Sequence, residues 1–539
     1  GWVGSRDGRC HRSGLMAHHV LAIDLGSTGV KAAIVDEEGT VRSSAGEVLP
    51  LLFTADGGAE QDPHGWWAAI GRCARRARTE SGIDAADVTL VAITSQYTST
   101  VAVAADGSPL ANVVMWMDQR GRRHHPSIAD PDTLPRWLEI HGMAPSGNDD
   151  IGHIAFIRAE WPEVYAAAAA LVEPMDALCA RLTGHVTATQ STVFPLGVID
   201  DSTWNVTSYD EDLVELAGLD LDRLPPLIPL GEPRGTLTAA VAEHFGLSPA
   251  VVVMSGTIDS VTSAVGTGAR LPTRCGLIIG TTSVVATHVA SHRLDAAHGL
   301  VTAPSPLPDS WFIVAENGIG GKSLDVLVNN LIYPPDGLGP EAPDDAFELV
   351  TAAAAKMPAG ANGVMFVPWL TGSGAPAFDR RVRGGFIGLD LTTDRADLAR
   401  AVLEGVALNA AWLIPHVTAL AGSADHSITL GGGGAATDTW GQILADVLGA
   451  EVRRLANPRT TNAHGAGLLA LVEAGQLTWD DADAALVYQQ VHEPDPANTA
   501  RYAQMLTAFV DLHERLGPFF DILNHAPRLS TTPDITESP

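Results

Sequence analysis

Apolar runs that stop abruptly at small polar turns recur along this chain, and they mark out its elements. Residues 20–23 run apolar into Asp24, Gly26-Ser27-Thr28-Gly29 turns the chain, and residues 30–35 return, so IDLGSTGVK with its flanks predicts a hairpin of two buried strands. The turn at Glu37-Glu38-Gly39 leads to a third strand near 40–48. In AEQDPHGWWAAIGRCARRA, Asp62 and Pro63 are start signals and Trp66, Ile70 and Cys73 share one face, which predicts a helix back to the sheet. Residues 88–94 and 112–116 read as strands ending in SQYTST and WMDQR, so polar groups collect at strand ends, where α/β sheets hold ligands. Residues 127–225 alternate helical stretches with loops; the alanine run 166–170 reads as helix interior, and no site is read in this stretch.

A further apolar strand at 251–254 ends in SGTIDSVTSAVGTG, placing Asp259 just beyond a strand among small residues. The opening design then starts again in GLIIGTTSVVATHVA, residues 276–290: strand, Gly280-Thr281-Thr282 turn, returning strand. Two such hairpins predict a duplicated fold whose turns face each other across a cleft, with a boundary near 268–271 and domains of 16–268 and 269–524. The second half continues with a helix at 323–331, a strand at 364–368 and a helix at 397–413 carrying the stripe Leu398, Val402, Val406. A strand at 427–430 runs into GGGGAATDTWGQILADVLG, whose helix buries Trp440, Ile443, Leu444, Val447 and Leu448, and a last helix spans about 497–516.

Composition narrows the function classes. The chain has 539 residues, 46% hydrophobic and 18% charged, ample for several cores. A formal net charge of −30 argues against nucleic acid and anionic lipid as partners, so phosphate-bearing ligands are confined to locally neutral or dipole-lined pockets. Cys10, Cys73, Cys179 and Cys275 form no CxxC pair, which points away from zinc and disulfides and toward a reducing cytoplasm. The most apolar stretch, 401–420, contains Glu404, Asn409, Pro415 and His416 and is expected to be a core helix, not a membrane span. Residues 1–15 lack the apolar centre of a signal peptide and are expected to be a disordered extension ahead of Met16, with a disordered tail at 525–539.

The turns carry the candidate chemistry. Gly26 and Gly29 tolerate left-handed backbone, so N–H groups and the Ser27 and Thr28 hydroxyls can converge on an anion. Asp24 beside such a nest suggests Mg²⁺ carried by a nucleotide, since a bare carboxylate would repel phosphate; a plain capped hairpin is the alternative. The glycine run at 431–434 ahead of a helix suits adenine, ribose or phosphate, against the alternative of a tight turn under a packed helix. Gly320-Gly321-Lys322-Ser323 is not a P-loop, because Glu316 stands where GxxxxGKS needs glycine. The pairs His18-His19 and His124-His125 lack metal-ligand spacing and read as surface.

Taken in order, IDLGSTGVK, EQDP with its WW, WMDQR, GTIDS, GTTS, GGFIGLDLTTDRADLARAVLEGVALNAAW and LGGGG with its LADVLG resemble the FGGY carbohydrate kinases across about 20–524, most closely the xylulokinase branch. The resemblance implies an α/β fold of two actin-like, ribonuclease H-like ATPase domains with sugar and ATP in the interdomain cleft and Mg²⁺ as cofactor. It also implies Asp259 as catalytic base, Asp24 as holder of the Mg²⁺ shell and Lys31 near the phosphates. Gly26, Ser27, Thr28, Gly280, Thr281 and Thr282 match its phosphate turns, Gly432, Gly433 and Gly434 its nucleotide-side glycines, and Gln96, Tyr97, Trp116, Asp118 and Arg120 its sugar pocket. Asp259 as a helix cap is the competing reading.

This chain departs from the branch where Gln96-Tyr97-Thr98-Ser99 replaces Gln-Met-His-Gly and Gly372-Ser373-Gly374 replaces Gly-Glu-Arg, and it lacks the Arg-Glu pair of glycerol kinases at Tyr97-Thr98. D-xylulose is the leading acceptor, with another ketose or a sugar alcohol open, and in-line transfer with domain closure against water is the expected chemistry. An actin-like ATPase that binds a protein, or a sugar-sensing homologue without activity, would share the duplicated turns. A homodimer is left open.

Overall fold

The two apolar hairpins organise two sheets. In the computed structural model, which describes residues 18–124, 134–141, 145–423 and 427–523, strands His19–Gly26 and Gly29–Val35 pair antiparallel with Asp24 opposite Lys31 and Gly26 opposite Gly29. Val41–Val48 adds antiparallel beyond the second strand, Val88–Ser95 runs parallel beside the first, and Val252–Val253 parallel beside that. The second sheet repeats the order: Arg274–Ile279 pairs with Thr282–Val289, Trp311–Ile319 lies beyond, and Ser427–Gly431 and Val452–Leu455 follow in parallel on the other side. The repeat visible in two turns is therefore a repeat of whole-sheet topology. The expected extension at 1–15 and tail at 525–539 lie outside the described residues, as does His125 of the histidine pairs.

The central strand of the first sheet is apolar at nearly every position because both faces are covered. Helix Pro63–Ser81, started by Asp62 accepting the His64 N–H and ended by Gly82 at φ 73°, packs Trp66, Ile70, Cys73 and Ala77 against Leu21, Ile23 and Leu25. The opposite face, Val20 and Ala22, is covered by Ala463, Ala466, Ala470 and Leu471 of helix Thr461–Glu473, which comes back from beyond the second sheet. That returning helix also crosses helix Asp259–Gly266 at close range. A Cβ on Gly465 would stand 1.9 Å from the Thr262 carbonyl oxygen, and one on Gly266 would stand 2.2 Å from that of Thr461.

Several elements differ from the sequence expectation. Helix Arg395–Ala421 runs past the expected end and contains Pro415. Loss of one N–H and the ring clash cost about 3 kcal/mol, and burial of Leu413, Ile414 and Val417 around the proline outweighs this. It is the one helix among the described residues long and apolar enough to cross a membrane, and 83% of its apolar window is buried inside the protein. The alanine run is not helix interior: helix Pro162–Ala167 stops, and Ala170–Val172 pairs as a strand with Val101–Val103. The alanine methyl group is too small to oppose either state, so the sheet partner decides. The strand read at 112–116 shrinks to Val113–Val114, and the helix at 323–331 begins as Lys322–Val326 and widens into a π-helical turn at Leu327–Ile332.

The glycine crossing is testable. Gly465→Ala is expected to destabilise the protein by about 1–3 kcal/mol through overpacking against backbone that cannot yield, read as a lowered urea midpoint. Gly517→Ala, which meets nothing within 4 Å, is the control expected to leave the midpoint unchanged or raise it.

Candidate active site

Parallel strands deliver their ends to one place. Strand Val88–Ser95 ends beside Asp24 and Leu25, and the short strand Thr257–Ile258 pairs with its last residues, setting Asp259 at the first turn of helix Asp259–Gly266. There a cavity of about 280 Å³ opens between the halves, lined from the first by Ser27, Gln96, Tyr97, Trp116 and Asp259 and from the second by Thr282 and Glu316. Ser27 is fixed from both sides: its carbonyl accepts from Gln61 Nε2 at 2.7 Å and its hydroxyl from Trp116 Nε1 at 2.9 Å. Gln96 is held by the Ser99 hydroxyl, which donates to its Oε1 at 2.9 Å.

The electrostatics of this cavity are those of two crowded acids. Asp24 is 4% exposed, its Oδ1 has no hydrogen-bond partner, and Lys31 Nζ stands 3.7 Å from its Oδ2. Burial raises the Asp24 carboxyl above its usual value although Lys31 and Asn462 pull it back. Burial, and then the Asp24 charge, push Asp259 up to about 7. Asp259 does not cap its helix, since Ile258 holds that position and no side-chain cap bond is made. Burial and the Asp259 charge also raise the Tyr97 phenol, whose ring lies 5.9 Å from that of Phe194.

A second cavity, of about 390 Å³, lies in the second half and is lined by Gly280, Thr281, Gly321, Lys322, Gly433 and Gly434 among others. The Gly280-Thr281-Thr282 turn is thus the wall between the cavities, with Thr282 facing one and Gly280 and Thr281 the other. It is braced by the Gly321 N–H, which donates to the Gly280 carbonyl at 2.8 Å. Gly432, at φ 80°, shapes this cavity without lining it, because a Cβ there would stand 2.6 Å from the Ile279 carbonyl oxygen. Gly26 and Thr28 form the first turn beside Ser27, with Thr28 accepting the Leu49 N–H at 3.0 Å.

Asp118 and Arg120 do not reach the cavity where the resemblance placed them. Both are buried behind it: Arg120 Nη2 bonds Asp118 and Glu60 at 2.7 Å each, its guanidinium lies 4.1 Å over the Phe156 ring, and Asp118 accepts the Ala59 N–H. Two carboxylates and a guanidinium this close satisfy one another before any ligand arrives. Thr98, Ser260, Val284 and Glu316 in the first cavity, and Lys322 and Phe347 in the second, were not singled out as site residues. Glu316 and Lys322 had entered only through the failed P-loop pattern, yet Glu316 lies within strand Trp311–Ile319 and lines the first cavity, and Lys322 begins helix Lys322–Val326 and lines the second.

Among the described residues no cluster of three or more His, Cys, Asp or Glu side chains forms a ready-made ion site. The donor set is Asp24, with its unpartnered buried oxygen, beside Asp259. It suits Mg²⁺, which takes one or two carboxylates and completes its shell with water and phosphate.

Two cavities meeting at a phosphate-type turn, one of them equipped with a proton acceptor, make the layout of a phosphoryl transferase acting on a small hydroxylated molecule. The family models for the N-terminal and C-terminal domains of the FGGY family of carbohydrate kinases match residues 19–266 and 275–474, and the chain belongs to that family. It is a sugar kinase, with a sugar and ATP as substrates, built as two actin-like domains. It is 26% identical over 511 residues to a xylulose kinase of Staphylococcus epidermidis, covering 92% of this chain and 96% of that one. It is 24% identical over 511 residues to a gluconokinase of Bacillus subtilis, covering 93% and 96%. The crystal structure of xylulose kinase from Rhodospirillum rubrum is similar with a TM-score of 0.79 at 26% identity, covering 94% of this chain and all of that one.

Arg120→Ala is expected to cost about 3–5 kcal/mol of stability by leaving Asp118 and Glu60 buried without their cation, measured by urea unfolding. A raised acceptor KM at unchanged stability would instead return Arg120 to the pocket.

Proposed function

We propose that the protein is an ATP-dependent D-xylulose kinase that transfers the γ-phosphoryl group to a hydroxyl of this ketopentose. The observation that carries the acceptor class is the wall of the smaller cavity: hydroxyl, amide and indole groups, the carboxyls of Asp259 and Glu316, and, among the described residues, no lysine or arginine. Such a wall suits a neutral polyhydroxy compound, and an aldonate held wholly within it would set its carboxylate against two acids, whereas Arg380 lines the adjoining cavity past Glu316. The similarity to xylulose kinases along nearly the whole chain favours the ketopentose within that class.

A sugar hydroxyl holds its proton far above neutral pH, so attack on the γ-phosphorus needs a nearby acceptor for that proton. Asp259 takes it as the oxygen–phosphorus bond forms and the bond to the β-phosphate oxygen breaks. Its carboxyl, held up to about 7, binds the released proton well while still ionising near neutrality. Asp24 would hold Mg²⁺ together with the nucleotide phosphates, and the cation would supply neutralisation of charge on the transferring group. Lys31 offsets the Asp24 charge, and the Ser27-Thr28 and Thr281-Thr282 turns face the transferring group from the two halves. Gly433 and Gly434, without side chains, admit the nucleotide closely.

A kinase for another ketose or a sugar alcohol is the second reading. It is favoured by an adjoining cavity of about 370 Å³ that continues past Tyr97, Thr98 and Glu316 toward Trp137, Phe194 and Phe378 and leaves room for a longer acceptor.

Asp259→Asn is expected to lower turnover by about 10²- to 10⁴-fold with ATP binding retained, measured by coupled ADP release and nucleotide titration. In the wild type kcat/KM for the acceptor falls as the pH drops below about 7, because the base is then protonated; near-normal turnover in the variant removes Asp259 from this role. A panel of purified ketoses, polyols and gluconate is expected to give selective ATP consumption with D-xylulose. Selective consumption with another neutral sugar selects the second reading, and selectivity for gluconate overturns the neutral-acceptor argument.

A further inference from the structure

Glu173 is 6% exposed and stands at the N-cap of helix Pro174–Thr183, yet it makes no cap bond to its own helix. Its two oxygens turn instead to the loop after strand Val88–Ser95, accepting the Thr98 N–H at 3.0 Å and the Ser99 N–H at 3.3 Å. The loop needs such a hold: Thr98 is a β-branched residue at φ 57°, in the left-handed region that disfavours it. From Ser99 the contacts fan out, its hydroxyl donating to Gln96 Oε1 and accepting the Trp116 N–H, each at 2.9 Å. Four residues that line the cavity, Gln96, Tyr97, Thr98 and Trp116, therefore hang on one carboxyl that does not line it.

We propose that Glu173 is a positioning residue for the sugar, a buried clamp that fixes the strained loop and through Ser99 sets Gln96 and Trp116 against the acceptor. The proposal rests on reading the smaller cavity as the acceptor's. The surroundings of Glu173 suit a fixed role. Its carboxyl faces Asp150, whose Oδ1 accepts from Thr100 at 2.9 Å and whose Oδ2 has no hydrogen-bond donor. His153 alongside is buried, which lowers its pKa below the usual histidine value, and Asp176 is tied to Arg234 at 2.8 Å. Burial, then the Asp150 charge, raise the Glu173 carboxyl well above its usual value, and its two oxygens accept the two loop N–H groups.

Glu173→Gln keeps the size of the side chain and one accepting oxygen, but its amide nitrogen cannot accept, so one loop N–H loses its partner. The expected result is an acceptor KM raised about tenfold or more, as small misplacements of substrate-positioning groups produce, with the KM for ATP and the melting temperature close to wild type. Ser99→Ala, which leaves both acids in place, is expected to raise the acceptor KM in the same direction and keeps the test alive should the first variant fold poorly. In the Glu173→Gln background, Thr98→Gly is expected to recover part of the loss, because glycine takes a φ of +57° without a clamp. Unchanged acceptor KM in both single variants, or a drop in melting temperature alone, overturns the proposal. The wild type run in parallel separates the readings: sugar-dependent wild-type turnover with unaltered variants removes the clamp alone, whereas no sugar-dependent wild-type turnover removes the acceptor reading and the clamp's role with it.

Discussion

The cleft depends on two helices being able to touch backbone to backbone. Helix Asp259–Gly266 carries the acid of the site at its first residue, and helix Thr461–Glu473 from the far end of the chain lies across it where Gly266 and Gly465 have no side chains. Thr262 on the same helix meets Thr94 through their hydroxyls at 2.9 Å, which ties it to the strand that ends at Ser95, just before Gln96. Ser263 meets Asn462 at 2.5 Å across the crossing. The helix bearing Asp259 is thus held by the first sheet on one side and by a late segment of the chain on the other, so the acid's place is set by contacts between parts far apart in sequence.

On that frame the electrostatics follow from enclosure. A chain with a net charge of −30 repels phosphate on average, and the basic groups by the site face acids: Lys31 stands 3.7 Å from Asp24. Lys322 in the second cavity is already engaged by Asp325. What remains is backbone: two tight turns and a glycine run whose N–H groups can meet phosphate oxygens, with Asp24 placed to bring a cation in between. The same enclosure that makes two ionised acids uncomfortable side by side keeps Asp259 close to neutral in its proton affinity, which is the property a base for a sugar hydroxyl needs.

Much of this was legible from periodicity alone. The first and second hairpins, the strand 88–95 and the helix from Pro63 stood out because strands covered on both faces must be apolar throughout and helices covered on one face must be striped. Asp259 stood out as an acid just beyond a strand among small residues, and its reading as a base came from the family resemblance. Asp118 and Arg120 were misplaced for a related reason: an acid and a base two residues apart look the same whether they face a ligand or each other, and only the approach of Glu60 and Phe156 from elsewhere decided it. The alanine run and the proline inside helix Arg395–Ala421 likewise turned on their neighbours in space.

The amino-acid order by itself determined the two hairpins, their phosphate-type turns and the acids at strand ends, since each is encoded within a few consecutive residues by local sterics and the burial of a short apolar run. The division into two cavities, the pairing of Asp24 with Asp259, the retreat of Arg120 from the pocket and the grip of Glu173 on the Thr98 loop were decided only by tertiary structure. Each joins side chains that the sequence separates widely, and a charge or hydrogen bond acquires its meaning from the distance and burial of a partner, which no local pattern records.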